Sequence, residues 1–202
     1  YTPAIVGRSD VYKRQNQSSS PTLLSAFFGL DNAMPFVVNL LCFGASGDDG
    51  MPVVLSHRIS SDSVRPEQFQ ITTRSGQLKT PKCATLRPAG DPGERRTVLL
   101  IGEFGNADTD PPEVVTIVED LLSDTAAPLN FNGQSVEVTP LSEGPSMVLA
   151  ESVDRDEWAV DRRGTQCPSK GVRQIIRVTW NGGVRLALSL IHISEPTRLD
   201  GI

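Results

Sequence analysis

From Met51 onward the chain alternates short apolar runs with clusters of turn residues. "MPVVLSH" (51–57), "FQITT" (69–73), "RTVLLIG" (96–102), "EVVTIVE" (113–119), "QSVEVT" (134–139) and "SMVLAE" (146–151) each have the length and the Val/Ile/Thr content of a β-strand. Phe69, Ile71 and Thr73 alternate with polar neighbours, which places them on one face of a strand. "QLKTPKCATL" (77–86) has the same character, but Pro81 demands an edge or an interruption. The connectors "PAGDPGE", "GNADTDPP", "NFNG" and "SEGP" are rich in residues that favour turns. Asn132-Gly133 predicts a type I′ turn and a hairpin over 129–138. About seven short strands in about 100 residues predict an all-β sandwich, assigned here to residues 45–151.

The flanks break this pattern. Residues 16–44 begin Ser-rich and turn apolar at 23–30, which suggests a linker or a short helix leading in. "DRDEWAVDRRGTQCPSKG" (154–171) falls within a second linker, 152–171, and "VRQIIRVTW" opens a stretch, 172–187, expected to be the first strand of a truncated second β domain. "LSLIHI" (188–193) follows no period, and neither does "DVYKRQ" (10–15), yet the two are related. Written as GAT GTG TAT AAG AGA CAG, the second has a complementary strand that translates to the first. An inverted repeat ligated to both sides of a DNA insert has this property, and the pair resembles the transposase mosaic end of sequencing-library adapters. Residues 1–15 and 188–202 are accordingly expected to be translated adapter, foreign to the fold. The insert, 16–187, is then a fragment open at both ends.

Charge and composition narrow the chemistry. The flanks hold four of the 19 Lys and Arg and three of the 24 Asp and Glu, so the net charge of −5 becomes −6 for the insert. An acidic chain without a basic cluster is a poor ligand for phosphate backbones, and nucleic-acid binding is not expected. "FVVNLLCFGA" (36–45) is too short for a bilayer span, which needs about 20 apolar residues. The insert keeps Cys42, Cys83 and Cys167. A Cys42–Cys83 disulfide in an exported protein is one reading, with Cys167 paired outside the fragment; three buried free thiols is the other. No C-x-x-C pair is present, and His57, the insert's one histidine, cannot complete a typical zinc set.

Catalytic motifs are weak. Ser56 adjoins His57, but neighbours on a strand point to opposite faces, so the two are not expected to meet. "VLLIGEFGNAD" (98–108) lacks the spacing of a dinucleotide-binding turn. "NADTD" (106–110) sets Asn106, Asp108 and Asp110 at alternate positions, as a calcium loop begins, but Pro111 stands where an EF-hand needs Gly. A looser calcium site is the remaining cofactor candidate, using Asp108 and Asp110 or Asp48 and Asp49. Asp154, Asp156 and Glu157 beside Trp158 fit a charged junction better than a glycosidase pair, and Trp180 is expected in a core. No catalytic or cofactor-binding residue is assigned.

"PVVLSHRISSDSVRPEQFQITTRSGQ" (52–77) resembles the opening of bacterial secreted immunoglobulin-like domains at Val54, Ile59, Val64, Pro66, Phe69 and Ile71. "VVTIVEDLLSD" (114–124) resembles a later strand and loop of such repeats. The resemblance covers about half of the insert. It implies an immunoglobulin-like β-sandwich in the extracellular space or cell envelope, joined to other domains of its parent chain. The expected role is a non-catalytic structural or adhesive module. The alternatives are an accessory domain of a secreted enzyme and a calcium-dependent binding module.

Overall fold

The computed structural model describes residues 20–87, 92–155 and 172–182. Both adapter-like ends lie outside the described residues, as do Cys167, Asp156, Glu157 and Trp158. Eight strands form one sheet: β1 (Leu23–Phe28), β2 (Asp49–Leu55), β3 (Phe69–Thr73), β4 (Leu78–Lys79), β5 (Cys83–Thr85), β6 (Thr97–Gly102), β7 (Pro112–Ile117) and β8 (Ser135–Pro140). Their spatial order is β4-β3-β7-β8-β1-β2-β6-β5. A separate two-stranded sheet pairs β9 (Met147–Val153) with β10 (Ile175–Trp180). The fold is all-β, and no helix among the described residues is long and apolar enough to cross a membrane.

The large sheet curls so that its two halves enclose one core. Met51, Val53 and Leu55 of β2 and Val98 and Leu100 of β6 meet Phe69 and Ile71 of β3 and Val115 and Ile117 of β7. Each set occupies alternate positions of its strand, as period-two geometry requires. Phe104, Leu121 and Phe131, all fully buried, come from loops and close the interior. Burying such side chains contributes about 1.5–3 kcal/mol each.

β1 is the element the sequence pattern does not reveal. Residues 16–44, expected as linker or helix, contain a strand at the centre of the sheet and a 3₁₀ turn at Phe36–Leu40. β1 pairs antiparallel with β2 and parallel with β8 (Ala26↔Val138). Both of its faces are covered, so it carries a near-continuous apolar run rather than an alternation. Leu23, Ala26 and Phe28 enter the core, while the Phe27 ring lies against Gly29, Gly144 and Gly182. Pro52, inside central strand β2, falls where β1–β2 pairing is interrupted between Ala26↔Val53 and Leu30↔Gly50.

Three further expectations are corrected. β9, expected as the last strand of the sandwich, pairs with β10, so the large sheet spans 23–140 rather than 45–151. The Asn132-Gly133 turn has positive φ at Gly133 only and closes through Gln134 N–H donating to Phe131 C=O, the pattern of a type II turn. Residues 129–138 are not one hairpin: Leu129 and Phe131 pair back to Ser123 and Leu121, while β8 pairs with β7. Trp180 is not core; it is about half exposed on β10. Pro81 behaves as expected, separating β4 and β5, which lie at opposite edges of the sheet.

Candidate functional site

Asp48 precedes β2 and Asp49 opens it, and the fold gives them different tasks. Asp48 forms an ion pair with Lys82, whose ammonium also donates to Gly44 C=O. Asp49 is fully buried, and its two oxygens accept the N–H groups of Asn32 (2.8 Å) and Phe104 (2.7 Å). Burial pushes its carboxyl above the usual range despite those two bonds. Glu103 is raised too, by burial first and then by the negative charges of Asp49 and Asp48. Asp49 therefore ties the β1–β2 loop to the residues after β6, while Asp48 ties it to the segment before β5.

Asp110 lies elsewhere in the network. Its carboxylate accepts Ser75 N–H (2.7 Å) and Ser75 Oγ–H (2.8 Å), which fastens the β3–β4 turn and lowers its pKa. Asn106 Oδ1 accepts the N–H groups of Asp108 and Thr109, so the expected calcium-loop oxygen closes a local turn instead. Asp110 and Asp49 thus each accept backbone N–H groups, and Asp48 pairs with a lysine. Among the described residues, no three His, Cys, Asp or Glu side chains are placed to hold a metal ion.

Ser56 and His57 do meet, contrary to the strand argument. β2 ends at Leu55, and in the bend beyond it Ser56 Oγ lies 2.9 Å from His57 Nδ1. Alternation of faces no longer applies outside the strand. Ser56 Oγ also accepts Thr22 N–H at 3.0 Å, which commits the hydroxyl to a structural bond. His57 is buried edge-on to Phe131. Its pKa is lowered, first by burial and then by Arg96. A hydrolytic triad needs an acid that stabilises the imidazolium; a neighbouring cation does the reverse.

Arg96 itself marks a junction that no motif announces. Nearly buried, it donates to Ser56 C=O (2.8 Å) and to Glu151 Oε2 (2.7 Å), while Arg177 donates to Glu151 Oε1 (2.8 Å). One carboxylate on β9 thereby joins a cation at the edge of β6 to another on β10. Sequence separations of 26 and 55 residues leave no local signal for such a cluster.

The β1–β2 loop carries exposed apolar side chains. The Cys42–Cys83 disulfide is formed, with the Cα atoms 6.1 Å apart, and ties the β1–β2 loop to β5. Beneath the loop, Met34, Val38, Cys42 and Ala45 pack on Ile101. On its outer side Phe36, Val37, Leu40, Leu41 and Phe43 face solvent. The segment "FVVNLLCFGA" thus divides, with Val38, Cys42 and Ala45 buried and the other five apolar side chains exposed. Comparison with protein-family models, with curated proteins and with solved structures gave no match.

Proposed function

We propose that the eight-stranded domain is an immunoglobulin-like sandwich that acts as a non-catalytic structural or adhesive module of an exported bacterial protein. The strand order carries this reading. Taking β1 to β8 as A, B, C, C′, D, E, F and G gives C′-C-F-G followed by A-B-E-D, the two layers of an immunoglobulin-type Greek key. The disulfide supports export, since such bonds persist in oxidising compartments. It joins a loop to an edge strand rather than bridging the two layers, and so departs from the antibody pattern.

A spacer must carry tension, and the β1–β8 seam suits that task. The strands are parallel, so the chain enters at Leu23 and leaves at Pro140 from opposite ends of the pair. Pulling along the chain loads their hydrogen bonds together, in shear. Pulling β1 off antiparallel β2 at the Leu23–Leu55 end breaks bonds one by one. Single-molecule stretching with handles at Ser20 and Leu141 is expected to give a rupture force several-fold above that with handles at Ser20 and Ser56. Equal, low forces on the two axes would refute the load-bearing role.

A further inference from the structure

We propose that the β1–β2 loop is a self-association surface, whose partner is the same loop of a second copy of this chain. Phe36, Val37, Leu40, Leu41 and Phe43 are 44–97% exposed and contiguous in sequence apart from Val38, Asn39 and Cys42. At about 150–200 Å² for a large side chain, they present roughly 600 Å² of apolar surface. That is at the upper end of the largest patch expected on a monomer, about 300–600 Å². Two such patches face to face bury about 1,200 Å², above the roughly 1,000 Å² that a specific interface needs.

The charge pattern permits a second copy as the partner. A two-fold contact sets a patch against itself, so any charge in it meets its own copy. From Asn32 to Gly47 the chain has no charged residue. Of the acids at the borders, Asp48 is paired with Lys82 and Asp31 accepts Ala107 N–H. A chain with net charge −5 therefore offers a face on which two copies meet without like charges opposed. The disulfide and the packing of Val38 and Cys42 on Ile101 keep these side chains from folding inward. The contact is independent of whether the domain is a spacer or part of an enzyme.

Sedimentation equilibrium of the full chain, with its disulfide intact, tests this. The expected result is a monomer–dimer equilibrium that Leu40→Asp and Phe43→Asp each weaken by at least roughly tenfold, with unchanged urea midpoints. Val178→Asp, on the exposed face of β10, leaves it intact. A monomer at about 100 μM overturns the proposal. So does a dimer insensitive to both loop aspartates, or one that Val178→Asp dissociates equally, which places the contact on β10. Flotation of a monomeric chain with phosphatidylcholine vesicles, abolished by Leu40→Asp, overturns it in favour of a lipid surface.

Discussion

His57 lies between a serine hydroxyl and a neighbouring cation. The imidazole has a serine partner, but its surroundings favour the neutral ring. Its pKa in the folded chain lies below the unfolded value of about 6.5, so the unfolded chain binds more protons in between. Its stabilising contribution is therefore complete above pH 6.5 and is lost as pH falls through the folded value. Asp49 and Glu103 have the opposite sign, because raised carboxyls favour the folded chain at low pH. Comparing wild type with His57→Gln separates the two. Between pH 7.5 and pH 5 the urea midpoint of the wild type should fall relative to that of the variant; parallel curves would show that His57 does not titrate in this way. The sequence left Cys42 and Cys83 open between a disulfide and buried thiols, and the structure joins them. The destinations of Asp48, Asp49 and Asp110 were not legible, since each is set by backbone amides or a lysine far away in sequence.

At the scale of elements, β3 was legible and β1 was not, for the same physical reason. β3 is covered on one face by the core and alternates accordingly; β1 is covered on both and has no period to detect. Glycines form part of its outer cover, against the ring of Phe27. A Cβ at Gly144 or Gly182 would collide with the ring of Phe27, which is itself nearly buried. Gly144→Ala should therefore destabilise the protein by about 1–3 kcal/mol through overpacking. Phe27→Leu should recover part of that loss, and the coupling should appear as a non-additive double-mutant cycle in urea denaturation. Additive effects would mean that the ring does not sense position 144. Pro81 shows the complementary case, a breaker whose meaning was clear: it ends one edge strand before the chain crosses to the other.

Across the whole molecule, Glu151 links the two sheets through Arg96 and Arg177, with all three side chains largely buried. Removing the carboxylate leaves two guanidinium groups without that partner, at a cost of about 3 kcal/mol or somewhat less given the residual exposure. Because a two-stranded sheet is marginal by itself, the loss should be local. In Glu151→Gln, amide exchange should accelerate in β10 while β2 and β6 keep their protection; uniform acceleration would mean that the sheets unfold as one unit. This junction, like the β1–β8 seam, joins residues that no local pattern relates, which is why most strands other than β1 were readable and their assembly was not. The seam also bears on synthesis. Ala26 is made more than a hundred residues before Val138, so one edge of β1 lacks its β8 neighbour while β2 to β7 emerge from the ribosome. An apolar strand with an open edge invites pairing with foreign chains. In a nascent chain of this order, residues 23–28 keep that edge open until the eighth strand has arrived.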